Sequence, residues 1–89
     1  MHELSIAQNL FEACKKIAKE HSAESIKTIN VTVSPLSHIN AETLEFLLKN
    51  IAESENSALM EKTQVKLKKD ISPDSREIVV NSIEMEEQT

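Results

Sequence analysis

The first three residues, Met1-His2-Glu3, are the part of this chain whose residue types and spacing could bind a metal ion. The Met1 amine and the His2 amide nitrogen close one small chelate ring, and the His2 imidazole closes a second. The Glu3 amide can then complete a plane of four nitrogens, a donor set and geometry that select Ni(II) or Cu(II) over Zn(II). Because early histidines also occur by chance, a frayed and solvated terminus is the alternative interpretation.

The other candidate ligands and nucleophiles have simpler structural interpretations. His21 is predicted to lie at a helix end, where it would stabilise the terminal carbonyls. His38 is predicted to be a solvated loop residue, with a second metal ligand from this loop as the alternative. Cys14 lies on an apolar helix stripe, which favours burial as a small hydrophobe over reactivity. Met60 and Met85 are predicted to pack in the core or at its edge.

The composition excludes several classes of function. The 89 residues are predicted to form one domain, residues 1–89. Fifteen acidic against ten basic residues disfavour non-specific nucleic-acid binding, which needs clustered positive charge. The chain has no glycine, which excludes glycine-rich phosphate loops. Because no nucleophile elbow or enclosed pocket is indicated either, we do not expect an enzyme.

The same sequence gives an expectation about location. No apolar stretch approaches the length of a membrane span, and the amino terminus lacks the pattern of a secretory signal. The single cysteine offers no disulfide within the chain. A cytoplasmic protein without a membrane partner is therefore expected.

The hydrophobic spacing predicts two helices. The pattern Ser5-x-x-Gln8 is typical of a capping box, which would leave Met1 to Leu4 just outside the first helix. This helix is predicted to end near residues 21–22. Asn40 is a good cap for a second helix. The apolar stripes are Leu4, Ala7, Leu10, Phe11, Cys14, Ile17 and Ala18 on the first helix, and Leu44, Leu47, Leu48 and Ile51 on the second.

Alternating apolar and polar residues predict three strands. The first covers residues 26–33 and ends at Ser34-Pro35, and the second covers residues 63–68. The third begins at Ile78 and has a change of phase between Val80 and Ile83. A bulge near residues 81–82 would restore the alternation, because one extra residue reverses the face of every side chain that follows.

Together these elements predict an α/β fold in which two helices cover one face of a three-stranded mixed β-sheet. The order is helix, strand, helix, strand, strand. The first two strands are expected to be parallel, with a right-handed crossover if they are neighbours. The short link at residues 69–75 predicts an antiparallel hairpin of the last two strands.

Four segments match a known pattern: the opening MHELSIAQNL, VSPLS at residues 33–37, NAETLEF at 40–46 and REIVVNSIEM at 76–85. Together they resemble the HypA family, the nickel-delivery accessory proteins of nickel–iron hydrogenase maturation. The resemblance covers nearly the whole chain and is most specific in the first ten residues. It implies Ni(II) as the metal bound by Met1, His2 and Glu3. It also implies two partners, a HypB-type GTPase and the hydrogenase large subunit.

One part of the family pattern is missing from this sequence. HypA proteins carry a zinc lobe with paired Cys-x-x-Cys motifs, whereas this chain has Cys14 alone and only the short link 69–75 at that place. A structural zinc site needs four ligands, so no structural zinc is expected. The sequence thus resembles the nickel-binding half of HypA, as either a natural short relative or a truncated form.

Two functional hypotheses follow. The first is a nickel metallochaperone module that delivers Ni(II) for hydrogenase maturation. The alternative is a non-catalytic interaction module of the same fold that has lost metal delivery. Such a module could form a homodimer through an exposed strand edge.

Overall fold

The computed structural model describes residues 3–71 and 78–87 of the chain. The elements follow the predicted order of helix, strand, helix, strand, strand. Their bounds are α1 (Glu3–Glu20), β1 (Ala23–Val33), α2 (Ala41–Ser54), β2 (Gln64–Lys69) and β3 (Ile78–Glu87).

β1 is the central strand of a three-stranded mixed sheet with the order β2-β1-β3. β2 pairs with β1 in parallel, and β3 pairs with β1 antiparallel. The predicted α/β fold and the parallel pairing of the first two strands are therefore confirmed. Both helices pack against one face of this sheet, and no other helix or strand of the described residues covers the opposite face.

The predicted hairpin between the last two strands is wrong, because β2 and β3 lie on opposite edges of the sheet. β1 takes the centre since its 11 residues are rich in β-branched side chains and pair along both sides. The two edges lie about 10 Å apart, which is two strand spacings. A link of a few residues reaches across that distance at about 3.4 Å per residue, so a short link does not make the two strands neighbours.

α1 begins earlier than the predicted capping box allows. The helix starts at Glu3, so Leu4, Ser5 and Gln8 are helical and Ser5 is not the cap. Leu4 is 51% exposed, and Ile6 takes the place predicted for it in the buried stripe. An acidic residue in the first turn is favourable beside the positive end of the helix dipole, which helps the helix to extend to Glu3.

β-bulges change which side chains of a strand face the helices, because each bulge inserts one extra residue. Asn30 pairs with Ser82 and Val31 with Val80, which leaves Asn81 as the extra residue and confirms the predicted bulge. The Asn81 side-chain oxygen accepts a hydrogen bond from the Thr32 hydroxyl at 2.6 Å. Two further irregularities in the register, at Glu24 and Lys27, did not emerge from the sequence pattern.

α2 begins at the predicted cap, where the Asn40 side-chain oxygen accepts a hydrogen bond from the Thr43 amide at 2.8 Å. Within residues 3–71 and 78–87 no helix is long and apolar enough to cross a membrane. A single cluster of apolar side chains fills the space between the helices and the sheet. Its largest fully buried members are Phe11, Ile26, Ile29, Leu44, Leu48, Met60, Val31, Val33 and Cys14.

Candidate metal centre

Of the three predicted metal ligands, the structure describes Glu3. Met1 and His2 lie outside the described residues. Glu3 is the first residue of α1. The first four amide groups of an α-helix have no acceptor within the helix, so the backbone nitrogen of Glu3 is not committed to a helical hydrogen bond. The backbone therefore offers this amide directly after the two residues that are predicted to chelate the metal.

The carboxylate of Glu3 has an unusual environment. The residue is half-buried, and its Oε2 atom is buried without a hydrogen-bond partner among the residues that the structure describes. A buried carboxylate oxygen without a partner is unfavourable, because it has lost its water and gained nothing in exchange. The sequence alone indicates Glu3 mainly as the source of a backbone nitrogen. The only signal for a role of its side chain was an acidic residue close to a helix start.

The chain topology places Glu3 at a particular end of the domain. α1 leads into β1 through a two-residue turn at His21-Ser22, where Ser22 has a φ of 55°, so helix and strand run in opposite directions. α2 crosses over between two parallel strands and therefore also runs opposite to them. Both helix amino termini thus lie at the end where β1 and β2 finish. Ligands of open α/β sheets commonly bind at this end.

The loop between β1 and α2 lies at the same end. Its shape is fixed by local hydrogen bonds, including those from the Ser37 amide to the Ser34 carbonyl at 2.9 Å and from the Ile39 amide to the Ser37 hydroxyl at 3.1 Å. The Lys69 ammonium also donates to the Ser37 carbonyl at 3.4 Å. His38 is exposed on this loop. Its predicted solvation is confirmed, and its role as a second ligand stays a prediction.

His21 lies at the opposite end of the domain. It is exposed and directly follows α1, and its amide donates to the Ile17 carbonyl at 3.1 Å. An 18-residue helix is about 27 Å long, so His21 is far from Glu3. Within the described ranges, no three His, Cys, Asp or Glu side chains are grouped so that they could hold a metal ion.

The remaining sulfur-containing side chains are core residues, as predicted. Cys14 is fully buried, and this burial raises the pKa of its thiol to about 11. A thiol with so high a pKa is neither a good nucleophile nor a good metal ligand, because both functions require the thiolate. Met60 is fully buried, and Met85 is half-buried against the core.

Comparison with known proteins identifies the family of this chain. Residues 1–73 match the family model described as "Hydrogenase/urease nickel incorporation, metallochaperone, hypA". The chain belongs to the HypA family. The matched range includes Met1, His2 and Glu3, and the description of the family is that of a metallochaperone rather than an enzyme, as the sequence predicted.

Several curated relatives carry the name hydrogenase maturation factor HypA. The protein of Methanosarcina mazei is 43% identical over 63 residues, which cover 67% of this chain and 46% of that protein. The protein of Methanocella arvoryzae is 38% identical over 53 residues, which cover 60% of this chain and 47% of that protein. The chain thus spans about half the length of the curated HypA proteins that it matches.

A solved HypA structure has the same fold. The solution structure of the nickel metallochaperone HypA from Helicobacter pylori aligns with a TM-score of 0.72 and covers 99% of this chain and 100% of that chain. At 17% sequence identity, this likeness concerns the arrangement of helices and strands alone. It supports the described fold of two helices and a three-stranded sheet.

Proposed function

We propose that this chain is a nickel-binding module of the HypA family that carries one Ni(II) ion for hydrogenase maturation. The amine of Met1, the amide and imidazole of His2, and the amide of Glu3 are its ligands. The observation that carries the proposal is the position of Glu3 in the first described turn of α1, immediately after the two residues with chelating groups. Amides in the first turn of a helix have no acceptor within the helix, so the Glu3 nitrogen is available as a ligand.

Nickel is cargo in this proposal, so the protein has to release it as well as bind it. The ligand nitrogens must lose protons before they bind the metal, which makes the affinity depend on pH. Acidification protonates the His2 imidazole and favours release. The Oε2 of Glu3 is buried without a partner among the described residues, so it is available to accept from an N–H group of the preceding residues. Its side chain therefore acts by orienting the terminus, while its backbone supplies the ligand.

The partners in the proposal follow from the role of the family. We place the chain with a HypB-type GTPase and with the hydrogenase large subunit, in the cytoplasm. The 89 residues contain one cysteine and three histidines, and Cys14 is buried. Structural zinc sites are usually built from four cysteine and histidine ligands, so the proposed module works without a structural zinc of its own.

Nickel titration of untagged protein tests the ligand set. We expect a four-nitrogen, square-planar complex in the wild type, detected by ligand-field absorbance and by calorimetry. His2→Ala should abolish this complex. His21→Ala and His38→Ala serve as matched controls, because each also removes one exposed imidazole but leaves the terminus intact. Equal nickel affinity of His2→Ala and wild type would overturn the proposal.

A pair of substitutions at Glu3 separates the amide from the carboxylate. Glu3→Pro removes the amide proton, and proline is well tolerated at the first position of a helix. Glu3→Gln keeps the amide and removes the charge. We expect Glu3→Pro to lose the four-nitrogen absorbance while it keeps its helical circular dichroism, and Glu3→Gln to retain the absorbance. Retention of the complex by Glu3→Pro would exclude this nitrogen as a ligand.

Partner binding distinguishes the proposal from the alternative of an interaction module without metal delivery. In the proposal, nickel passes from the chain to apo-hydrogenase large subunit, and transfer fails with His2→Ala. If the chain binds a HypB-type GTPase equally well with and without nickel and with His2→Ala, and transfers no metal, the interaction module is the better description.

A further inference from the structure

The two outer strands of the sheet carry opposite charges. β2 contains the exposed residues Lys66, Lys68 and Lys69 and no acidic residue. β3 contains the exposed residues Glu84 and Glu86 and no basic residue. Because β1 lies between these strands, the sheet has a basic edge formed by β2 and an acidic edge formed by β3.

The two edges also match in their alternation of apolar and charged side chains. On both strands, apolar residues face the helices and charged residues face the open side of the sheet, as the burial and the register of the strands indicate. The apolar residues are Val65 and Leu67 on the basic edge and Ile83 and Met85 on the acidic edge, and the charged residues are Lys66, Lys68, Glu84 and Glu86.

Main-chain groups point outward along both edges. The Val65 amide donates to Glu45 Oε1 at 2.9 Å, so the backbone of Val65 points away from β1, and this one amide is already bonded. Because backbone groups alternate along a strand, those of Leu67 and Lys69 also point outward. On the acidic edge, no strand within the described part of the chain pairs with the outer side of β3. Unpaired edges of this kind are templates for the addition of another strand.

We infer that the basic edge of one copy of this chain adds to the acidic edge of a second copy and extends the sheet head to tail. With the helices on the same side, β3 and the β2 of the second copy run antiparallel, a favourable ladder geometry. Lysines then lie beside glutamates and apolar residues beside apolar residues, which are stabilising cross-strand pairs.

The same charges disfavour the symmetric alternatives. Pairing of two acidic edges places glutamates beside glutamates, and pairing of two basic edges places lysines beside lysines. Like charges directly opposite one another destabilise a strand pair. The contact is limited to one short strand from each copy, so its area falls below that of a standard stable interface and the association is weak and salt-sensitive.

Charge reversal on one edge at a time tests this pairing. Lys66→Glu with Lys68→Glu removes the basic edge, and Glu84→Lys with Glu86→Lys removes the acidic edge. Each double variant alone should be monomeric in sedimentation experiments at millimolar concentration and low salt, where the wild type associates. An equimolar mixture of the two should associate again, because each edge of one variant, native or reversed, is opposite in charge to the facing edge of the other.

A matched control for the first double variant excludes a general effect of net charge. Lys16→Glu with Lys19→Glu changes the net charge as the first double variant does, but on the exposed face of α1. Its association should equal that of the wild type. A wild type that stays monomeric, a mixture of the edge variants that fails to associate, or self-association of either edge variant alone would each overturn the inference. Circular dichroism confirms that the variants fold, as their exposed positions lead us to expect.

Discussion

Cys14 should make this protein less stable at alkaline pH. Its side chain is fully buried, and the burial raises the pKa of the thiol from the ordinary value of 9.0 to about 11. The unfolded chain therefore releases the thiol proton at lower pH than the folded chain does. Between these two pKa values the folded state binds more protons, so the free energy of unfolding falls as the pH rises.

The size of this effect follows from the two pKa values. The loss is negligible up to about pH 8 and reaches about 1.3 kcal/mol near pH 10. The chain has no tyrosine, so the lysines and the terminal amine are the other groups that titrate in this range. Their contribution is common to the wild type and to a Cys14→Ala variant. The difference between the two proteins therefore isolates the thiol.

Urea denaturation of both proteins from about pH 7 to pH 10 measures this difference. Cys14→Ala is expected to be less stable than the wild type at neutral pH, because it leaves a small cavity. The gap should shrink by about 1.3 kcal/mol as the pH approaches 10. Parallel profiles of the two proteins across the whole range would refute the reasoning, because they would mean that folding does not change the pKa of the thiol.

Three further substitutions, two of them with a control, test the packing and the hydrogen bonds of the domain. Asn40→Ala removes the side-chain cap of α2 and should lower the free energy of unfolding by about 1 kcal/mol, whereas Asn40→Asp should retain it. Phe11→Ala should cost about 3–5 kcal/mol, while Phe46→Ala, at 65% exposure, should cost less than about 0.5 kcal/mol. The Glu45 carboxylate accepts a hydrogen bond from the Val65 amide, so Glu45→Ala should lower the free energy of unfolding by about 1 kcal/mol and speed hydrogen exchange of that amide. Denaturation curves check all three, and unchanged midpoints would contradict them.

The strands were predictable where hydrophobic alternation dominates. Ile29, Val31 and Val33 all lie in the core, and the phase change after Val80 correctly located a bulge. The irregularity at Lys27 was not predictable, because the polar residues around it give no phase signal. The central position of β1 was not predictable from the connecting links. It depends on which strand can pair along both of its sides, and the length of a link does not show whether the two strands that it joins are neighbours.

The start of α1 shows how a local motif competes with the rest of the helix. Ser5 and Gln8 have the types and spacing of a capping box, yet both lie inside the helix. Ile6, Ala7 and Leu10 lie on one buried stripe of the helix. Their burial in the core stabilises the helical conformation of this segment, including the turn that contains Ser5. Tertiary packing supplies most of the stability of a protein helix, so it overrides a signal worth about 1 kcal/mol.

The positions of the two proposed surfaces imply that nickel binding and self-association are independent. Glu3 lies at the end of the domain where β1 and β2 finish, whereas the basic and acidic edges run along its two sides. A strand added to either side therefore leaves the end that carries Glu3, the described member of the proposed ligand set, uncovered. Because the two surfaces do not overlap, nickel should change the affinity between the two edge variants by less than about fivefold, the lower end of allosteric effects. Coupling is reciprocal, so association of the edge variants should likewise leave the nickel affinity unchanged. A larger change would mean that the second copy reaches the amino terminus, which side-by-side extension of the sheet does not allow.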